Sequence, residues 1–222
     1  MANINFLLSL VCTLLMVHIL LCTTATSGTT INDIEGNPLQ VGSAYYIQSA
    51  TFGFVGGFRL KLRPDQNQSP FTCPRFVFRT PVEVDMGIPV MFTPSNRTET
   101  IITSSTDTLI SFSGFTVTCP KTWSLTEDSG RMYVSTGVYV DRFQQVSKNT
   151  QLNVPFKINP VRQAGSKIYF ITYSPESELA LGALALFDED GTNWLGVTFN
   201  AQPPPLRVYF VKMENSPRSE IM

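Results

Sequence analysis

Hydrophobic positions along the chain fall in short runs that alternate with polar ones, and turn-forming residues separate the runs. Such a two-residue period belongs to half-buried strands, because successive side chains point to opposite faces of a sheet. It predicts strands over Ala44–Gln48, Phe58–Leu62, Arg75–Phe78, Thr108–Phe112, Thr116–Thr118, Arg131–Val134, Tyr139–Phe143, Lys167–Thr172, Ala183–Phe187, Leu195–Phe199 and Leu206–Lys212. Gly56-Gly57, Pro64-Asp65, Gly87, Pro94, Ser129-Gly130, Asp190-Gly191 and Pro203–Pro205 mark turns between them. No stretch carries the spacing of an amphipathic helix. Roughly a dozen strands with a turn about every 15 residues predict one all-β barrel or sandwich without an internal linker.

One run breaks this pattern. Phe6 to Cys22 is continuously apolar, and the small residues Thr23, Thr24, Ala25, Thr26, Ser27 and Gly28 follow it. This is the form of a secretory signal peptide cut near Gly28, although Met1 to Asn5 bring no charged side chain. The alternative is a signal anchor, which needs a flanking cation to set its orientation. Here the first basic residue is Arg59. The expected organisation is a signal over 1–27, a folded domain over 28–213 and a C-terminal tail over 214–222, with no membrane association once the signal is cut.

Cutting the signal changes the chemistry available. His18 is the single histidine of the 222 residues and leaves with it. A chain without histidine cannot run a Ser-His-Asp or Cys-His nucleophile or build a histidine-based zinc site, so no enzyme activity, metal or cofactor is expected. Cys12 and Cys22 leave as well, so of four cysteines Cys73 and Cys119 remain. In a secreted chain they are expected to form one disulfide, the alternative being two buried thiols. A net charge of −1 excludes the basic stripe of a nucleic-acid binder. With 43% hydrophobic and 15% charged residues, the chain has the composition of a folded domain, not a disordered one.

The segment after the cut reads Ile31-Asn32-Asp33-Ile34-Glu35-Gly36-Asn37-Pro38-Leu39, with Tyr45-Tyr46-Ile47 a few residues on. Locally it is a turn followed by a strand start. The string resembles the N-terminal signature of the plant Kunitz-type (soybean trypsin inhibitor) family. Gly56-Gly57-Phe58-Arg59-Leu60, Cys73-Pro74 with Cys119, Trp123-Ser124 with Glu127-Asp128, Asp188-Glu189-Asp190-Gly191-Thr192 and Pro205–Lys212 resemble later family segments. The resemblance runs over about residues 31 to 213. It implies a β-trefoil of 12 strands, a pseudo-threefold barrel with a hairpin cap.

The resemblance also implies a function: a secreted, monomeric inhibitor that blocks a serine endopeptidase, of trypsin-like type, with a substrate-like loop. The matching loop is Phe92-Thr93-Pro94-Ser95-Asn96-Arg97-Thr98-Glu99-Thr100, with Arg97 entering the specificity pocket and Arg97–Thr98 as the scissile bond. An arginine suits a pocket with an acid at its base, and Pro94 would stiffen the approach. The location implied is outside the cell, in the apoplast, with the vacuole as alternative. Other members are storage or taste-modifying proteins, or inhibit cysteine proteases through other loops.

Three departures bear on that function. Many members carry an asparagine that braces the loop where this chain has Val41, which predicts a looser loop. The family's second disulfide has no counterpart in Thr172–Leu181 (TYSPESELAL), which should affect stability first. Asn96-Arg97-Thr98 is an N-glycosylation sequon, and a glycan there would block docking. Asn67-Gln68-Ser69 is a second sequon, weakened by Pro70. The remaining features read as structural: Asp188-Glu189-Asp190 as a hairpin turn, Trp123 and Trp194 as core or cap residues, and Pro203–Pro205 as a stiff lead into the last strand.

Overall fold

The computed structural model describes residues 28–51, 56–66, 69, 72–104, 106–114, 119–136, 150–162, 165–173 and 181–214. The expected signal over 1–27, the strands at Thr116–Thr118 and Tyr139–Phe143, Asn67, most of the tail and most of Thr172–Leu181 lie outside these residues. The described residues form β1 (Ala44–Ser49), β2 (Phe58–Lys61), β3 (Phe76–Arg79), β4 (Val90–Pro94), β5 (Thr108–Phe112), β6 (Trp123–Asp128), β7 (Arg131–Thr136), β8 (Thr150–Gln151), β9 (Phe156–Pro160), β10 (Tyr169–Tyr173), β11 (Gly182–Glu189), β12 (Thr192–Thr198) and β13 (Val208–Lys212). No helix occurs among them.

The pairings define the architecture. β13–β1–β4–β5–β9–β10 is a path whose ends also meet, through Tyr169 opposite Val208, so six strands close a barrel. The other long strands form three hairpins, β2–β3, β6–β7 and β11–β12. Their inner strands β3, β7 and β12 pair with one another and form a triangular cap. Each third of the chain thus contributes a barrel strand, a cap hairpin and a second barrel strand, the pseudo-threefold plan of 12 strands. The thirteenth strand, β8, is two residues long and pairs with β6.

Local sequence explains the elements. In β4 the inward residues are Val90, Phe92 and Pro94, and in β5 they are Thr108, Ile110 and Phe112, so each strand turns alternate side chains into the barrel. Phe92 meets Phe210 edge-on at 5.4 Å between ring centroids, within the range where aromatic pairs attract. Ser129-Gly130 and Asp190-Gly191 each join two strands directly, with all four residues at positive φ, as two-residue hairpin loops require. Trp123 and Trp194 are buried, one in the barrel and one in the cap. Cys73 and Cys119 are disulfide-bonded across 46 residues; closing such a loop stabilises by about 4 kcal/mol on a chain-entropy estimate. The pattern missed β4, β6, β9 and the two-residue β8. Pro94 reads as a breaker, yet it is the last residue of β4, opposite Thr108, where a missing N–H ends a ladder without interrupting one.

Glu189 exceeds the turn role its sequence suggests. It binds Arg63 at 2.9 Å and Arg131 at 2.9 Å, and accepts a hydrogen bond from the Tyr133 hydroxyl. Arg63 also pairs with Asp128 at 3.0 Å and stacks over Tyr133 and Trp194, 4.6 and 5.0 Å from the ring centroids. One buried guanidinium just after β2, within the first hairpin, therefore bolts that hairpin to the other two. Burial pushes the Glu189 carboxyl up, but Tyr133, Arg63 and Arg131 outweigh it and hold the group below its ordinary value.

Candidate functional site

The stretch singled out by sequence is the connection from β4 to β5. Its base is closed by Ser95, whose N–H donates to the Asp107 carbonyl at 2.8 Å. At its tip Glu99 N–H donates to the Asn96 carbonyl at 3.2 Å, a β-turn with Arg97 and Thr98 as its central residues. Asn96 Oδ1 accepts from Thr98 N–H at 3.2 Å and from the Thr98 hydroxyl at 2.9 Å, an Asx-type cap on the same turn. Ser95, Asn96, Arg97 and Thr98 are all exposed. Arg97 has no ion-pair partner among the described residues, so its guanidinium is available to a partner's carboxylate.

Glu99 turns back into the loop. Its Oε2 accepts a 2.8 Å hydrogen bond from the hydroxyl of buried Thr106, which lies 2.8 Å from the Thr103 hydroxyl. This ties the outgoing limb of the loop to the returning one.

The returning limb is clamped by the N-terminal segment. Val41 N–H donates to the Thr100 carbonyl at 2.9 Å, Ile102 N–H to Leu39 at 2.9 Å, Ile31 N–H to Ile102 at 3.0 Å and Ser104 N–H to Thr29 at 2.9 Å. Ile31, Leu39 and Ile102 are fully buried in the barrel core. Between Ile31 and Leu39 the chain reverses around Asp33, whose Oδ1 accepts from the N–H groups of Glu35, Gly36 and Asn37 at 2.9–3.0 Å. The N-terminal signature thus has a physical meaning: two apolar anchors and a carboxylate-capped turn lay an edge of backbone beside the loop.

The structure brings together Ser95, Asn96, Arg97, Thr98 and Glu99 as one protruding turn, while Pro94 is buried at the strand end beneath it. The backbone at Arg97–Thr98 is a turn, where the resemblance implies an extended segment. The Val41 side chain is 36% exposed, and its backbone makes the contact to Thr100. Sequence reading missed Thr106 and Thr103; the hydroxyl-rich run Thr103–Thr106, beginning four residues beyond Glu99, was the available signal.

The closed barrel with its triangular cap makes this a β-trefoil protein carrying one braced, cationic turn. A family model described as "Trypsin and protease inhibitor" matches residues 31–212, and the chain belongs to that legume Kunitz family. It is not an enzyme. It is 29% identical to Kunitz trypsin inhibitor 5 of Arabidopsis thaliana over 85% of this chain and 88% of that protein. It is 34% identical to miraculin of Synsepalum dulcificum over 47% of this chain; that match spans half of miraculin's length, 50%. Soybean trypsin inhibitor, in its complex with porcine pancreatic trypsin, superposes with a TM-score of 0.67 at 26% identity, covering 83% of this chain and 99% of the inhibitor.

Proposed function

We propose that the protein inhibits a trypsin-like serine endopeptidase by inserting Arg97 into the enzyme's specificity pocket, with Thr98 on the leaving side of the presented bond. The observation that carries this is the exposed, unpaired Arg97 at the centre of a turn braced from both limbs. A protruding loop already held near its bound shape loses little ordering entropy on association. Accommodation in a cleft that takes extended backbone opens the 3.2 Å turn bond, at a cost of about 1 kcal/mol, small beside the gain from burying an arginine anchor. The protein acts as a monomer outside the cell, after cleavage near Gly28, and N-terminal sequencing of the secreted form checks that step.

The test is titration of trypsin with the purified protein and with Arg97→Ala. Truncating an anchor of this kind costs about 2–4 kcal/mol, a loss of potency of roughly 30-fold to 1,000-fold. Equal potency of the two proteins removes Arg97 from the interface.

A second reading, a binding or storage protein that does not use this loop, is favoured by Asn96. Its side chain is exposed and lies in a sequon beside Arg97. A glycan there stands against any enzyme surface approaching the arginine. Mass spectrometry of the Asn96 peptide decides between them: full occupancy supports the second reading, an unmodified asparagine the first.

A further inference from the structure

The connection from β3 to β4 presents a second tip. Its residues run Thr80-Pro81-Val82-Glu83-Val84-Asp85-Met86-Gly87. Val82, Val84 and Met86 are 52%, 88% and 37% exposed, so three apolar side chains in alternate positions face solvent. Val84 is the most exposed large hydrophobic side chain among the described residues.

This exposure is enforced by the backbone. Asp85 N–H donates to the Val82 carbonyl at 3.1 Å, a turn with Glu83 and Val84 at its centre, as Arg97 and Thr98 are at the centre of theirs. Behind it Gly57 N–H donates to the Asp85 carbonyl at 2.7 Å, Thr80 N–H to Gly57 at 2.9 Å, and Gln48 Nε2 to the Met86 carbonyl at 2.9 Å. The Asp85 carboxylate takes both a bidentate contact from Arg59 and a 2.9 Å bond from Gly87 N–H. A Cβ on Gly57 would lie 1.9 Å from the Met86 carbonyl oxygen, so the loop is pressed against bare backbone. The valines cannot fold inward without breaking these contacts.

We propose that this connection is a second presented loop, and that Val84 enters the small apolar specificity pocket of an elastase-like serine endopeptidase. The protruding shape fits a concave partner. A single valine matches a pocket narrowed to accept small aliphatic side chains. Glu83 beside it disfavours a pocket with an acid at its base, so this loop and the Arg97 loop select different enzymes. The two connections also enter and leave opposite ends of β4, a strand of five residues, about 16 Å long. One protein molecule can therefore hold two different enzymes at once.

The experiment titrates pancreatic elastase and trypsin separately with the purified wild-type protein, Val84→Asp and Arg97→Ala, with the mass of each mixture read by light scattering. The expected result is stoichiometric inhibition of elastase that falls at least tenfold in Val84→Asp and is unchanged in Arg97→Ala, while Val84→Asp leaves trypsin titration as it is in the wild type. Arg59→Ala, which frees the loop without touching its tip, is expected to weaken elastase inhibition severalfold. With both enzymes present a complex of one inhibitor, one elastase and one trypsin should form. The proposal is overturned if elastase is not inhibited, if inhibition survives in Val84→Asp, if the enzymes displace one another, or if the wild-type protein alone dimerises through this loop and Val84→Asp dissolves the dimer. Because trypsin is titrated independently, failure here leaves the Arg97 reading separately scored.

Discussion

Glu99 is the side chain on which the stiffness of the Arg97 turn rests, and removing it gives a calculable loss. Hydrogen bonds to a charged group contribute about 1.5–3 kcal/mol; Glu99 is half-buried and partly screened by solvent, so about 1–2 kcal/mol is the expected share here. Freeing the turn completely would cost far more, since each residue fixed on binding loses about 1–2 kcal/mol of backbone entropy. Complete release is prevented by Ser95 N–H on Asp107 and Val41 N–H on Thr100, which hold the loop on both sides of the tip. Glu99→Ala is therefore expected to weaken trypsin inhibition about 5-fold to 30-fold, the factor that 1–2 kcal/mol represents, without changing the thermal midpoint by more than a few degrees. Thr106→Val removes the other partner and should act alike, while the double variant should be no worse than either single one, because the same bond is lost in each. Inhibition constants from progress curves, with circular dichroism to confirm the fold, measure this. A Glu99→Ala protein as potent as wild type, or effects of the two substitutions that simply add, would refute the idea that this bond holds the loop ready.

The cap bolt gives a stability prediction: Arg63→Met takes the cation from Asp128 and leaves Glu189 with Arg131 alone, and breaking a buried pair costs about 3–5 kcal/mol. Both carboxylates keep some solvent access, so about 2–4 kcal/mol and a fall in melting temperature of roughly 5–15 °C are expected, read by calorimetry; a shift within 2 °C, as an order-of-magnitude bound, removes the bolt from the energetics. Acid should act on Glu189 and, at the β3–β4 connection, on Asp85. Asp85 is held low by its hydrogen bond from Arg59, which together with Gly87 N–H outweighs burial, and Glu189 is held low by Tyr133, Arg63 and Arg131 against burial. A carboxylate with a depressed value in the fold stabilises it above its unfolded value and loses that stabilisation as pH falls through the folded value. Melting temperature should therefore be level from neutral pH down to about pH 5 and drop below about pH 4, the ordinary range of free Asp and Glu. A rise on acidification would contradict the sign.

Much of this architecture was legible because barrel and cap strands obey a local rule. β5 and β13 bury alternate side chains, and the turn pairs Ser129-Gly130 and Asp190-Gly191 state their own geometry. The missed strands lack that clarity: β4 ends in a proline, and β9 reads Phe-Lys-Ile-Asn-Pro with only two apolar side chains. The loop was found through resemblance; its bracing left only the hydroxyl-rich run Thr103–Thr106 as a trace in the sequence, and the cap bolt left none, since Arg63 is remote in sequence from Glu189. Val82-Glu83-Val84-Asp85-Met86 shows the opposite failure. Its alternation is that of a half-buried strand, but the backbone behind it belongs to β2 and its glycines, and the apolar side of the pattern ends in water.

The absence of an asparagine at position 41 therefore weighs less than its side chain suggests. The contact from residue 41 to the loop is a backbone N–H on the Thr100 carbonyl, and any residue but proline can donate it. Ile31, Leu39 and Ile102 fix the register of that edge by burying their side chains, so the donor stays in place whatever side chain follows Leu39. What an inward-facing amide would add, a side-chain tie across the loop, is supplied here from within the loop by Glu99 and Thr106. Preorganisation is a property of the bonds spanning the two limbs, and a chain can place them on different residues while presenting the same tip. The glycan acceptor is the exception to this tolerance: Asn96 both caps the turn through Oδ1 and offers its amide nitrogen to modification, so the residue that shapes the tip is also the one able to close it to a partner.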